Sequence, residues 1–192
     1  MEEQVEKIVD DIKKIVNFNN VTIISQNCIG GVLYHDIEQE FLSPTINLFF
    51  YADDFIKFIT NIKKYIKKKL ITKIENKIVI GQLGDVKIIF LHYDSEEQAQ
   101  KKWKERVKRI NYSKIFIIST DRDGFNEECY ENFKKINHPK ALITANYEWS
   151  KEDFCIYIEK YKEQGFVGHT IPNREFYKDN KLIDLINRSY GV

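Results

Sequence analysis

Two acidic side chains stand two residues apart, directly after an apolar run. The run is Ile115–Ser119, and Thr120–Gly124 follows it with the order Thr-Asp-Arg-Asp-Gly. Two carboxylates on a tight turn can share a divalent cation, and an arginine between them can neutralise a phosphate. We therefore predict that Asp121 and Asp123 hold Mn²⁺ or Mg²⁺, that Asp121 is catalytic and that Arg122 binds substrate. The alternative is that Asp121 or Asp123 caps the next helix and forms an Asx turn.

A polar turn with two glycines follows another apolar run, Val21–Ile24. Backbone N–H groups ahead of a helix can bind phosphate, so Asn27, Gly30 and Gly31 are predicted to contact phosphate or ribose. The turn matches neither the dinucleotide fingerprint nor the P-loop, and a tight strand-to-helix turn is the alternative. Cys28 lies in the same turn without an activating neighbour in sequence, which favours an inert packed thiol over a nucleophile.

A histidine follows a third apolar stretch, which ends at Leu91. His92 is predicted to be the general base, oriented by Asp85 or Asp94, and Asp85 is also predicted to bind substrate. The alternative is a histidine that bonds a backbone carbonyl. Three further polar residues flank Pro44 or follow it, and we predict that they line the same pocket: Ser43, Thr45 and Asn47.

The segment from Lys101 to Ile110 contains six basic residues and one acidic residue. Its apolar members recur at helical spacing, which predicts one anchored face and a cationic remainder. That remainder could meet anionic lipid headgroups, a lipid-linked pyrophosphate or a nucleotide. Arg106 and Arg109 are predicted to neutralise a diphosphate, because arginine supplies bidentate geometry. The alternative is a solvated face, which is our interpretation of Lys63–Lys73.

Short apolar runs alternate with helical patterns along the chain. Helices are predicted over residues 3–17, 32–37, 52–69, 95–110, 126–136 and 181–188, and strands over 21–25, 46–50, 77–80, 86–91, 114–120, 141–144 and 154–158. This order predicts one α/β domain over residues 1–192, with a mostly parallel sheet and an antiparallel insertion around Gly81–Asp85. Ligands of such folds bind beyond the carboxyl ends of the strands, where the polar residues above are predicted to lie.

Composition excludes several classes of protein. With 30 basic and 29 acidic residues the net charge is +1, so the excess of positive charge on which non-specific nucleic-acid binding depends is missing. The three cysteines have no paired spacing, which argues against a disulfide framework or a structural zinc site and predicts a reduced, cytoplasmic protein. No apolar run approaches the ~20 residues that span a bilayer.

Several ordered segments together resemble a bacterial family of unknown function that is usually labelled exopolysaccharide biosynthesis protein. The resemblance spans residues 20–170 and rests on Asn27–Gly31, Ser43–Phe49, Asp54–Phe58, Gly81–Asp85, Phe90–Tyr93, Trp103–Arg106, Arg109–Asn111 and Thr120–Gly124. It implies a Rossmann-like layered α/β fold with helices on both faces of a mixed sheet. It also implies a place in exopolysaccharide or capsule production, without an established reaction.

Together these patterns predict a cytoplasmic, sugar-modifying transferase that uses a nucleotide-activated or lipid-linked sugar and binds no nucleic acid. The alternative is a noncatalytic assembly or regulatory factor that docks through the Trp103 helix, either on a membrane-bound polysaccharide enzyme or at the inner face of the membrane. A deep crevice that collects Asn27, Ser43, His92 and Asp121 would favour the enzyme. A convex surface at these positions would favour the binding role.

Overall fold

The computed structural model describes residues 2–192, which form seven α-helices and seven β-strands. In chain order these are α1 (Glu2–Ile15), β1 (Thr22–Ser25), α2 (Ile29–Asp36), α3 (Ala52–Thr60), α4 (Ile62–Ile66), β2 (Ile71–Glu75), β3 (Ile78–Leu83), β4 (Val86–Phe90), α5 (Glu96–Val107), β5 (Ile115–Thr120), α6 (Glu127–Lys134), β6 (Lys140–Thr144), β7 (Cys155–Tyr157) and α7 (Lys181–Tyr190). Short 3₁₀ helices cover Trp149–Lys151, Glu159–Gln164 and Glu175–Asn180.

The strands form two sheets. A four-stranded parallel sheet has the order β1-β5-β6-β7, and a three-stranded antiparallel sheet has the order β2-β3-β4. The predicted α/β layered fold is therefore confirmed, as is the antiparallel pairing of β3 with β4. The antiparallel strands do not join the parallel sheet. They extend instead to the segment after α2 through one bridge between Phe49 and Ile89.

Both faces of the parallel sheet are buried, as the continuous apolar runs predict. Successive side chains of β1 alternate between two hydrophobic cores, because side chains along a strand point to opposite faces. Ile24 and Ile117 join the core that contains α3, α5, α6 and the antiparallel sheet. Ile23 and Phe116 join the core beneath α1, α2 and α7. The sheet thus lies between two helical layers. Because its four strands are parallel, their carboxyl ends lie along the same edge of the sheet.

Two predicted elements differ from the structure for local reasons. The single helix expected over residues 52–69 is two helices, because Asn61 leaves helical geometry with φ −148° and its side chain caps α4 by accepting from the Lys64 N–H. The strand expected over 46–50 is absent. Asn47 has a left-handed φ of 60° that interrupts the extended chain, although Ile46, Leu48 and Phe50 are buried in alternation.

Two further boundaries were also wrong. We predicted that the second helix begins after the glycine pair, but α2 begins at Ile29 and contains both glycines. The hairpin between β3 and β4 turns on Gly84 and Asp85 alone, since Leu83 pairs with Val86 and Gly81 lies within β3. Strand β2 was not predicted. No helix in residues 2–192 is long and apolar enough to cross a bilayer.

Candidate functional site at the strand ends

A cleft of about 600 Å³ opens beyond the carboxyl ends of β1 and β5. Five segments of the chain line it. They lie after β1, before α3, after β4, at the end of β5 and in a loop before α7. The polar or charged lining residues are Asn27, Cys28, Asn47, His92, Thr120, Arg122, Asp123, His169 and Thr170. The cleft lies where the strand-end rule places ligand sites, and it contains five of the residues predicted for the site: Asn27, Asn47, His92, Arg122 and Asp123.

A buried amide that sequence reasoning missed joins the two strand ends beneath this cleft. Oε1 of Gln26 accepts hydrogen bonds from Ser119 Oγ at 2.8 Å and from Thr120 N at 2.9 Å. Its Nε2 donates to the carbonyl oxygen of Arg122 at 3.4 Å. Nearer the opening, Asn27 Nδ2 donates to Thr120 Oγ1 at 3.1 Å. The ends of β1 and β5 are therefore fixed relative to each other.

The glycine pair serves packing and does not line the cleft. The first free N–H groups of α2 are already satisfied, since Ile29 N donates to Asn27 Oδ1 at 3.2 Å and Gly30 N donates to Ser25 Oγ at 3.2 Å. A Cβ on Gly30 would lie 2.8 Å from the Ser25 Cβ, so only glycine lets α2 approach β1 this closely. Gly31 is buried as well. Neither glycine lines the cleft, where the predicted contacts with phosphate would have to form.

Ser43 and Thr45 also lie inside the protein, with no exposed surface. Thr45 Oγ1 accepts from Ser25 N at 2.9 Å and lies 3.0 Å from Ser43 Oγ, so the two hydroxyl groups cap the end of β1. Asn47 is different, because it is exposed and lines the cleft. Of the three residues predicted here, the structure places only Asn47 where a ligand can reach it.

The two aspartates of the Asp-x-Asp pair lie in different surroundings. Asp121 is buried, with Oδ1 accepting from Val167 N at 2.7 Å and Oδ2 accepting from Ala145 N at 2.7 Å and Thr144 Oγ1 at 2.9 Å. Burial raises the pKa of this carboxyl, and the three hydrogen bonds oppose that rise. Asp121 thus connects the end of β5 to the end of β6 and to a distant loop, and it does not line the cleft.

Asp123 lines the cleft and is half-buried, with a left-handed φ of 57°. Burial raises the pKa of its carboxyl, and the charge of Arg122 opposes the rise. Neither aspartate caps the next helix. Asn126 does so, because its Oδ1 accepts from Cys129 N at 2.9 Å. The capping alternative was therefore wrong, and Asp123 remains the one carboxylate of the pair that a ligand can contact.

The donor set does not favour a metal at this pair, since hydrogen bonds occupy both oxygens of Asp121. Within residues 2–192, no group of three His, Cys, Asp or Glu side chains has an arrangement suited to a metal ion. No buried polar side-chain atom in that range lacks a hydrogen-bond partner either. Bound Mn²⁺ or Mg²⁺ stays a prediction that rests on the spacing of the two aspartates.

Two exposed histidines line the cleft from different parts of the chain. His92 follows β4, as predicted, and His169 belongs to a loop for which we predicted no role. The acidic residues expected to orient His92 point elsewhere. Asp85 lies in the β3–β4 turn, where it accepts from Tyr65 Oη at 3.1 Å, and Asp94 is bonded to Gln98 at the start of α5. Neither lines the cleft.

The two arginines of the basic helix lie outside the cleft. Arg106 Nη1 donates to Tyr93 Oη at 2.6 Å and to the Ile46 carbonyl at 3.3 Å, so it holds the segment before α3. Burial raises the pKa of Tyr93, and Arg106 opposes the rise. Arg109 pairs with Glu40 at 3.3 Å. Neither arginine lines the cleft, whereas Arg122 does, and its Nη1 donates to the Gly168 carbonyl at 3.2 Å.

The wall of the cleft that sequence analysis missed is the loop Gly168–Pro172. Three contacts hold it: Asp121 with the adjacent Val167 N–H, Arg122 with the Gly168 carbonyl, and Arg174 Nη1 with the Ile171 carbonyl at 2.7 Å. The loop has no helix or strand to predict. Its only sequence signals are the two glycines and the proline that bracket His169.

The Cys28 thiol lies half-buried at the cleft, and burial raises its pKa. We expect slow modification by iodoacetamide at neutral pH. The thiolate is the reactive form, and a raised pKa leaves a smaller fraction of Cys28 as thiolate than in the unfolded chain. Mass spectrometry of native and denatured protein measures the rates. Cys129 and Cys155 serve as internal references, since burial raises their pKa values to about 11 and about 12. Fast, stoichiometric labelling of Cys28 would indicate an activated nucleophile.

Comparison with known proteins matches nearly the whole chain to one family. A family model described as "Domain of unknown function (DUF1919)" matches residues 2–188. The chain belongs to the DUF1919 family. A relative from Haemophilus influenzae Rd, named "Uncharacterized protein", is 33% identical over 157 residues, which cover 81% of this chain and 76% of that protein. The DUF1919 match includes every segment that lines the cleft, so the cleft belongs to the family domain itself.

Proposed function

We propose that this DUF1919 protein is a sugar-modifying transferase that binds a nucleotide-activated or lipid-linked sugar in the strand-end cleft. One observation carries the proposal. A single cleft at the carboxyl ends of β1 and β5 combines an arginine, two histidines and two amides. Convergent polar groups of this kind, placed at the ligand position of an α/β fold, are typical of small-molecule sites.

The charges of the cleft support an anionic substrate. Arg122 contributes a permanent positive charge, and guanidinium groups bind phosphate oxygens in bidentate fashion. Asp123 is the one carboxylate in the lining. We therefore assign the diphosphate of the substrate to the side of the cleft at Arg122, in the role first assigned to the arginines of the basic helix.

The remaining lining suits the other parts of such a substrate. The amides of Asn27 and Asn47 can both donate to and accept from sugar hydroxyl groups. The apolar lining offers a surface for a nucleotide base or for the carbons of a lipid carrier, and it consists of Ile29, Val32, Phe49, Leu91, Ile171 and Pro172. A cleft with this division accommodates a ligand that has one charged end and one apolar end.

In the proposed reaction, an acceptor hydroxyl oxygen attacks the anomeric carbon of the sugar. The new carbon–oxygen bond forms as the bond between that carbon and the diphosphate breaks, and the diphosphate leaves with the bonding electron pair. His92 accepts the proton of the hydroxyl group as general base. Arg122 stabilises the negative charge on the departing diphosphate. His169 lines the same cleft and is available to exchange a proton with the leaving group.

The biological setting is proposed on different grounds. A cytoplasmic role in exopolysaccharide or capsule biosynthesis rests on the sequence resemblance described above, and the DUF1919 description names no reaction. The second candidate, a noncatalytic factor that docks on a polysaccharide enzyme through the Trp103 helix, cannot use the Trp103 side chain for this contact. Trp103 is only 4% exposed and packs against Phe58 and Phe90, so it anchors α5 internally.

Replacement of the cleft arginine tests the proposal. We expect Arg122→Gln to weaken binding of a nucleotide sugar at least about tenfold, because one lost charge-assisted hydrogen bond to the diphosphate is worth about 1.5–3 kcal/mol. Isothermal titration calorimetry with a panel of uridine and guanosine diphosphate sugars measures the affinity. The matched control is Arg188→Gln, since Arg188 is exposed on α7 and lies outside the cleft.

The same titrations run with and without Mn²⁺ test the metal prediction. A metal shared with Asp123 predicts tighter binding with Mn²⁺ in the parent protein and no such gain in Asp123→Asn. Equal affinities in all four combinations would contradict the metal role and leave the transferase proposal intact. Absence of binding across the panel, with and without metal, would contradict the transferase proposal itself.

A further inference from the structure

A second groove, of about 800 Å³, lies between the C-terminal end of α4 and one face of α5. Six lysines line it: Lys67, Lys68, Lys69, Lys101, Lys104 and Lys108. Glu97 is the one acidic residue in the lining. The two lysine clusters are far apart in sequence, and we had interpreted the first one as a solvated face. The fold instead brings both clusters together.

Most of these ammonium groups have no neighbouring counter-charge. Lys68 lies 3.9 Å from a carboxylate oxygen of Asp85, whereas the other five have no carboxylate within 4.0 Å in residues 2–192. Some lysines elsewhere are paired, as Lys134 is with Glu152 at 3.0 Å. Others, such as Lys7 and Lys162, have no carboxylate within 4.0 Å in residues 2–192 but do not line the groove, so the groove differs in bringing several unpaired lysines together. Like charges held close together repel each other, so the groove is a place where an anionic partner gains binding energy.

Exposed apolar side chains lie on the strand that follows the first lysine cluster. Strand β2 begins directly after Leu70, which lines the groove, and forms an edge of the antiparallel sheet. Its side chains Ile71 and Ile74 are 62% and 55% exposed and project from the two faces of this edge strand. The strand is joined to α5 through Thr72, whose Oγ1 donates to Glu96 at 2.7 Å. Unpaired lysines beside protruding isoleucines are the combination found on proteins that bind membrane surfaces, where the charges meet headgroups and the apolar groups enter the interface.

We propose that the surface formed by the six groove lysines and by Ile71 and Ile74 docks on an anionic lipid bilayer. Lysine favours this partner, because its compact charge suits a diffuse layer of headgroups better than bidentate recognition of single carboxylates. The isoleucines favour it over an acidic polypeptide, since a bilayer provides an apolar phase beneath the charges. This surface is separate from the strand-end cleft, which contains none of its residues.

Vesicle co-sedimentation tests the proposal with three proteins. The groove variant carries Lys101→Glu, Lys104→Glu and Lys108→Glu, and the control variant carries Lys7→Glu, Lys162→Glu and Lys178→Glu at exposed positions outside the groove. Each set lowers the formal net charge equally, from +1 to −5, because each of three replacements removes one positive and adds one negative charge. The vesicles contain phosphatidylcholine alone or phosphatidylcholine with phosphatidylglycerol.

We expect the parent protein to bind the phosphatidylglycerol vesicles at low salt, to bind less at high salt, and to ignore pure phosphatidylcholine. The groove variant should bind about 100-fold more weakly, and the control variant within about fivefold of the parent. A double variant, Ile71→Thr with Ile74→Thr, keeps β-branched side chains and should weaken binding at both salt concentrations. Circular dichroism confirms that each variant is folded.

No binding of the parent to anionic vesicles at low salt would overturn the proposal, and so would equal losses in the two charge-reversed variants. An acidic protein partner would give the first of these results. The groove variant should still bind nucleotide sugars as the parent does. The two proposals can therefore fail independently.

Discussion

Replacement of Asp121 by asparagine is expected to lower the free energy of unfolding by about 3 kcal/mol. The carboxylate accepts from three donors, and two of these are backbone N–H groups that cannot turn away. Asparagine offers one acceptor oxygen, so its NH₂ group must face at least one buried donor. Removal of a buried charge offsets part of the loss, because burial raises the pKa of Asp121. The repulsion between the new NH₂ group and a buried donor is the larger effect, so we expect a net loss of stability.

The matched control is Asp123→Asn. Asp123 has a left-handed φ of 57°, which asparagine adopts readily, and burial and the charge of Arg122, with no hydrogen bond in residues 2–192, set the pKa of its carboxyl. We expect its free energy of unfolding to stay within about 0.5 kcal/mol of the parent value. Urea denaturation, followed by circular dichroism at neutral pH, measures both variants. Equal stabilities for the two would show that Asp121 does not hold the loop at Val167.

Replacement of Arg174 by methionine is expected to cost about 3–4 kcal/mol, because it leaves a buried carboxylate without its counter-charge. The Asp36 side chain is 2% exposed, and Arg174 bonds it through Nε at 2.6 Å and Nη2 at 2.9 Å. Tyr177 Oη donates to the same carboxylate at 3.1 Å. Burial raises the pKa of that phenol, and the Asp36 charge raises it further. A neutral hydroxyl alone cannot compensate the carboxylate.

A double variant separates the ion pair from other effects of the substitution. Arg174→Met with Asp36→Leu should recover part of the lost stability, since neither charge is then buried alone. Arg188→Met, at an exposed position on α7, is the control and should change stability by less than about 0.5 kcal/mol. If the double variant loses the sum of the two single losses, the pair makes no coupled contribution. Arg174→Met should also weaken ligand binding, because Arg174 holds the Ile171 carbonyl at the wall of the cleft.

The parallel sheet could be predicted because its strands are buried on both faces. Continuous β-branched runs such as Thr22–Ser25 and Ile115–Thr120 have no polar alternation and are too short for helices. Strand β2 could not be predicted in the same way. Its residues Ile71–Glu75 are mostly exposed, and they become a strand only because β3 supplies hydrogen-bond partners. The order of the strands also depends on such tertiary pairing.

The position of the cleft could be predicted more fully than its chemistry. The strand-end rule led to Asn27, His92 and Arg122, which the structure brings to one cleft. It could not separate Asp121 from Asp123, because the partners that bury Asp121 lie beyond β6 and in the loop after Gly165. His169 was missed for the same reason. A loop without periodicity gives no sign of the surface that it will cover.

The pairing of β1 with the distant β5 affects how the chain folds during its synthesis on the ribosome. β1 pairs with β5 and with no other strand in residues 2–192, and residues 26–114 separate the two. A nascent chain therefore leaves β1, with its two buried isoleucines Ile23 and Ile24, without its partner strand until β5 has been synthesised and has left the exit tunnel. Pairings between such distant segments form slowly and leave aggregation-prone edges uncovered. Translation speed and chaperone capture before β5 emerges should decide how much of the protein reaches the folded state.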